Sequence, residues 1–192
     1  FDRQVVPGLY ALRAESLPKL KDSGVLVTEE LPPSEQPLLV LIHGTFSTTE
    51  GTFSKLWTQH ADSVASLFEN GRRLFALDHE TLSKSPIENA RLLVEHLPPQ
   101  AKLHLLTHSR GGLVGEALAR ACGASDLQPE QLARFEPRDR EAWQKLRDIA
   151  VRKKLKVERI VRVACPAHGT LLASKRLDAY ISVLKWTMEL TE

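Results

Sequence analysis

Along this chain, short and nearly unbroken apolar runs alternate with stretches of helical spacing. Leu38-Leu39-Val40-Leu41-Ile42 places five apolar residues in a row, bounded by Pro37 and His43-Gly44. A run that short without polar alternation reads as a strand buried on both faces, as in a parallel sheet covered by helices. Residues 73–78, 103–106 and 157–164 read as further strands. Between them, Phe53, Leu56, Trp57, Val64, Leu67 and Phe68 recur at helical spacing as far as Asn70-Gly71, a stop signal. Another helix opens at Ser85-Pro86-Ile87-Glu88: Ser85 can cap the Glu88 N–H, Glu88 can reach back, and Pro86 suits the first helical position. Its stripe is Ile87, Ala90, Leu93, Val94 and Leu97, and Pro98-Pro99 ends it. Leu113 to Cys122 is helix-like and closes at Gly123, and residues 126–155 predict one or two more helices with Trp143, Leu146 and Ala150 on one face. Residues 8–14 and 25–28 predict two short extended segments, an antiparallel lead-in to the sheet, followed by the proline-rich connector 31–37.

This alternation predicts an α/β fold with a mostly parallel, doubly wound sheet and helices on both faces. Two regions follow: lead-in strands and connector over 1–36, and a core over 37–192 that carries a helical insertion at about 126–155. Such sheets bind ligands outside the carboxyl ends of their strands, and the chain's most informative segment falls there. Thr107-His108-Ser109-Arg110-Gly111-Gly112 lies between the run 103–106 and the helix that follows. A serine at the apex of a strand-to-helix turn, with small residues where backbones crowd, is the pattern of a nucleophile elbow. Gly111, two residues after Ser109, lets the helix start close to the strand. Thr107 stands where the usual pattern has glycine; it is larger but carries no long side chain. Upstream, His43-Gly44-Thr45-Phe46 leaves the first apolar run.

Together with Cys165-Pro-Ala-His-Gly-Thr170, these segments resemble the lipase and esterase branch of the α/β-hydrolase superfamily, in the same order and at compatible spacings over roughly residues 37–172. The resemblance implies an α/β-hydrolase fold and a serine hydrolase acting on a carboxylic ester or lipid-like substrate through an acyl-Ser109 intermediate. It implies an oxyanion hole of the Arg110 N–H with that of Thr45 or Phe46, and a Ser…Asp/Glu…His triad in chain order, with no metal and no organic cofactor. His43 is expected to orient the oxyanion loop, supported by Gly44, and His168 to shape the pocket wall. The acid and histidine of the triad usually follow later strands than any seen here, so the fold reads as truncated at its C-terminus. Asp78, at the end of a strand, is more simply a loop start with a helix cap than the triad acid.

Composition changes this picture little. The 192 residues are 42% hydrophobic and 26% charged with a net charge of +2, ordinary for a globular domain. The first residue is Phe1 and the single methionine is Met188, which reads as a piece of a longer protein whose other domains would be its neighbours. Cys122 and Cys165 are too few for a disulfide framework and suit a reducing compartment, the cytoplasm by default. No run approaches a membrane span. The segment 138–162 holds ten Lys/Arg against four Asp/Glu, net +6 by subtraction, but these alternate with Trp143, Leu146 and Val151 as the wet face of a helix would, so no nucleic-acid partner is expected. The helices at 126–155 and the apolar positions of the tail (Leu177, Tyr180, Ile181, Leu184, Trp186, Met188) offer a roof for the pocket, and core packing explains the same residues equally. The competing class is a binding or scaffolding module of a larger multidomain protein that keeps the hydrolase fold without its chemistry.

Overall fold

The computed structural model describes residues 5–15, 17 and 25–165. Among them five strands form one sheet: β1 (Gly8–Ala11), β2 (Leu38–Ile42), β3 (Leu74–Asp78), β4 (Lys102–His108) and β5 (Lys156–Val163), in the order β1-β3-β2-β4-β5. Only β1 runs antiparallel, pairing Gly8 with Asp78 through Ala11 with Phe75; the other pairings are parallel. The second lead-in segment touches the sheet through a single bridge, Leu26 to Tyr10.

Both faces of the central strands are buried, as an unbroken apolar run requires. Leu38, Val40 and Ile42 of β2 join Phe75, Leu77, Leu103 and Leu105 in one core, while Leu41 joins Leu74 and Ala76 in the other. The first core is covered by α3 (Pro86–Glu95), α4 (Gly111–Ala121) and α6 (Pro137–Arg152), and the second by α1 (Thr49–Gln59) and α2 (Ala61–Leu67). α3 begins with the capping box expected of it: Ser85 Oγ accepts the Glu88 N–H and Glu88 Oε2 accepts the Ser85 N–H.

One expectation is corrected. The stretch 53–68 is two helices, because His60 takes a non-helical conformation (φ −137°, ψ 43°) and ends α1 while starting α2. No glycine or proline marks that break, and Trp57 and Val64 still share one core across it. The helices expected at 126–155 are present, and their apolar stripe faces the core. They are the short α5 (Pro129–Leu132) and α6, and α6 packs on α3 and α4, burying Trp143, Leu146 and Ala150 in the main core. Trp143 Nε1 donates to Asp126 Oδ1 (3.0 Å), and Arg147 donates to the Ala121 and Gly123 carbonyls at the end of α4, satisfying groups that a helix C-terminus leaves open. α6 is thus part of the layer that fixes α4.

The tail from residue 177 and His168 lie outside the described residues. No helix among the described residues is long and apolar enough to cross a membrane. Cys122 is a free thiol at the end of α4, where burial pushes its pKa up to about 11 against a smaller opposing pull from Arg147. At pH 8 only about 0.1% of a thiol with that pKa is thiolate, the reactive form. Iodoacetamide at pH 8 should therefore leave Cys122 unmodified in the native protein and modify it on denaturation; rapid native alkylation at Cys122, read by peptide mass, would contradict this packing.

Candidate active site

The connection after β2 leads to α1 on one face of the sheet, and the connection after β4 leads to α4 on the other. β2 and β4 are neighbours, so their carboxyl ends part around a crevice, the place where open α/β sheets bind ligands. Ser109 stands at that point.

Ser109 has φ +50°. A residue with a Cβ pays about 1–2 kcal/mol for left-handed backbone, and such strain persists only where surrounding contacts enforce it. Here the contacts are on both sides of the turn. The Ser109 N–H donates to the Val163 carbonyl of β5 (2.9 Å), and its carbonyl accepts the Gly112 N–H (3.0 Å) in the first turn of α4. Gly111 makes the turn sterically feasible: a Cβ there would lie 2.4 Å from the Ile42 oxygen and 2.6 Å from the His43 oxygen. α4 thus starts hard against the backbone of β2.

Thr107 fits where glycine is usual because another glycine makes room. Its side chain is fully buried, its hydroxyl donates to the Val161 carbonyl (3.2 Å), and a Cβ at position 115 would come within 3.2 Å of its Cγ2. Gly115 in α4 thus accommodates the extra bulk at Thr107.

The β2 loop reaches the same serine from the other side. A Cβ on Gly44 would lie 2.7 Å from Ser109 Cβ and 3.2 Å from Ser109 Oγ, so this glycine permits the contact. Its neighbours are held by groups from β3. His43 is completely buried; Nε2 accepts the His79 N–H (3.2 Å) and Nδ1 faces the Gly44 carbonyl (3.0 Å). The His79 ring stacks on it with centroids 4.1 Å apart. Asp78 Oδ1 accepts the N–H and the hydroxyl of Thr49 (2.8 and 2.7 Å) and lies 3.4 Å from His43 Nε2. A carboxylate on the first turn of a helix is electrostatically favoured, so Asp78 caps α1, a helix 29 residues upstream of it, where a loop start with a cap was expected.

A family model described as a domain of unknown function, DUF7379, matches residues 7–135. The chain belongs to that family. Neither a curated protein nor a solved structure matches it. The DUF7379 match takes in β1 through α5, and with them both loops that meet at Ser109.

The DUF7379 segment distinguishes the two backbone donors expected after Gly44. The Phe46 N–H is directed to Thr81 Oγ1 (3.3 Å), whereas the Thr45 N–H makes no hydrogen bond among the described residues. Thr45, half-buried beside Gly44, is therefore the better-placed donor. Arg110 follows Ser109 at the N-cap of α4, before the helical ladder begins, and its guanidinium donates to the Lys84 carbonyl (2.9 Å). Among the described residues no histidine hydrogen-bonds Ser109 Oγ. A cavity of about 280 Å³ opens beside the serine, lined by Leu113, Glu116, Arg162 and Cys165 among others, slightly under the usual range for small-molecule sites. A smaller hollow of about 170 Å³ between Asp126, Trp143 and Arg147 shares no wall with it, so the larger one is the relevant space. Asp78, Thr49, His79 and Thr81 were missed as site residues by sequence reasoning; only the position of Asp78 at a strand end gave any signal.

Proposed function

We propose that this domain is a serine hydrolase with an α/β-hydrolase fold, cleaving a carboxylic ester or lipid-like substrate through an acyl-Ser109 intermediate. The observation that carries the reading is the strained backbone of Ser109 together with the Gly44 loop seated against its side chain. Serine is an uncommon occupant of left-handed backbone, and strain of this kind gathers at sites that use it.

In the proposed reaction Ser109 Oγ attacks the substrate carbonyl and gives up its proton to a histidine supplied from beyond the described residues. The carbonyl oxygen takes the negative charge and is held by the N–H groups of Arg110 and Thr45. The ester C–O bond then breaks, the alcohol leaves with the proton, and water repeats the sequence on the acyl-enzyme to release the acid. An apolar acyl group is favoured by Phe46, Leu82 and Leu113, which are 50%, 54% and 44% exposed and belong to three different segments at the carboxyl edge of the sheet. We take the compartment to be the cytoplasm, in keeping with two free thiols.

The decisive experiment is labelling of the full protein with a serine-reactive phosphonate, followed by peptide mass analysis. A single adduct on the peptide holding Ser109 is expected, and none after Ser109→Ala. Failure of the wild-type protein to label would overturn the reading and leave the domain as a hydrolase-like binding module.

A further inference from the structure

The loop 79–85, between β3 and α3, is tied to three neighbouring segments. The His79 N–H reaches His43 Nε2 at the end of β2 (3.2 Å), the Glu80 carbonyl accepts Asn89 Nδ2 from α3 (2.8 Å), and the Lys84 carbonyl accepts the Arg110 guanidinium from the elbow (2.9 Å). Thr81 lies within this bracket, 2% exposed, with its hydroxyl oxygen receiving the Phe46 N–H. Phe46 has φ +52° and an exposed ring. Phenylalanine is a poor occupant of left-handed backbone, where Gly, Asn and Asp are the usual ones. Something must hold it there.

We propose that Thr81 is a positioning residue of the oxyanion loop: by taking the Phe46 N–H it keeps Phe46 left-handed, and so leaves the Thr45 N–H facing the charge that develops beside Ser109. The proposal rests on Ser109 being a nucleophile. Gly44 blocks movement of the loop toward the serine, since it already touches Ser109. Thr81 restrains it from the other direction. The contacts close a ring running from Ser109 through Gly44, Phe46, Thr81 and Lys84 to Arg110, so the two donors of the hole are set at a fixed separation. Loss of the Thr81 oxygen removes that restraint on the φ of Phe46, and with it a tie that keeps the Thr45 N–H on its line. An oxyanion donor acts by its pre-set placement, and a displacement of about 1 Å is enough to cost roughly 10²-fold in rate.

The test uses the full protein, p-nitrophenyl butyrate and the same phosphonate. Thr81→Val keeps the shape and removes the acceptor, and it should lower kcat roughly 10- to 100-fold while KM moves by less than about threefold. Thr81→Ser restores the acceptor and should return kcat to within about threefold of wild type. Equal kcat in wild type and Thr81→Val, or equal damage in both variants, would overturn the proposal. Amide exchange followed by NMR needs no variant at all. The Phe46 amide should be protected with and without the phosphonate, and the Thr45 amide only in the phosphonate adduct. Protection of Phe46 only in the adduct would make Phe46 the donor and Thr81 incidental. An absence of any wild-type labelling or hydrolysis would instead remove Ser109 as nucleophile, an outcome distinct from all of these.

Discussion

Replacing Ser109 by alanine should abolish ester turnover by the full protein, a fall on the order of 10⁶ in kcat, because members of a nucleophilic set act as a unit. Folding should be affected far less. Ser109 is half-exposed, its backbone N–H and carbonyl rather than its hydroxyl make the contacts to Val163 and Gly112, and alanine occupies no new space. The cost to stability is the difference between serine and alanine at φ +50°, both of which carry a Cβ, and should stay within about 1 kcal/mol. Kinetics on a short acyl ester and a thermal melt measure the two halves separately. Residual turnover within tenfold of wild type, once contaminating esterase is excluded, would remove Ser109 from the mechanism. An unchanged melt beside lost activity is what a chemical role predicts.

What the sequence disclosed here was local. The capping box at Ser85 and Glu88, the apolar run of β2, and the strand, serine, glycine and helix of the elbow all depend on residues within a few positions of one another. Their signals survive in a bare sequence because the physics that produces them is short-range. The parts that were not legible join distant segments. Asp78 holds Thr49 across 29 positions, Phe46 meets Thr81 across 35, His79 meets His43 across 36, and Arg110 meets Lys84 across 26. Each contact needs the sheet order that sets β3 beside β2 and β2 beside β4, and no periodicity encodes that order. Thr107 shows the same limit from the other side. It read as a departure from the elbow pattern, and its compensation at Gly115 lies in a helix whose packing had first to be known.

The helices at 126–155 show a related limit. An amphipathic pattern says that one face of α6 is covered, and Trp143, Leu146 and Ala150 are indeed buried. The pattern carries no information on what covers it. A roof over a pocket and a layer against α3 and α4 need the same stripe. Only the packed structure separates them, and it puts α6 among the supports of α4, on whose first turn the elbow depends.

That dependence makes Gly111 the position where substitution should do most harm to the fold. The obstruction is at Cβ itself, 2.4 Å from the Ile42 oxygen and 2.6 Å from the His43 oxygen, so Gly111→Ala already collides and Gly111→Val adds two methyl groups. Both neighbours are backbone atoms of β2 and of the residue that leaves it, the strand at the centre of the sheet, and they have no rotamer by which to withdraw. To relieve the contact, α4 must lift from β2, which opens the core that Val114 and Leu118 share with Ile42. We expect a loss of about 4 kcal/mol or more for Gly111→Val, in the range reserved for a few severe mechanisms and a large part of the roughly 5–15 kcal/mol that holds a typical domain together. Gly71→Ala is the control. Gly71 has φ +72° with nothing within 4 Å of a new Cβ, so it carries only the conformational cost of about 1–2 kcal/mol. Denaturant melts of the three variants measure the gap directly. A Gly111→Val protein as stable as wild type would mean that α4 does not start against β2, and the elbow at Ser109 would fall with it.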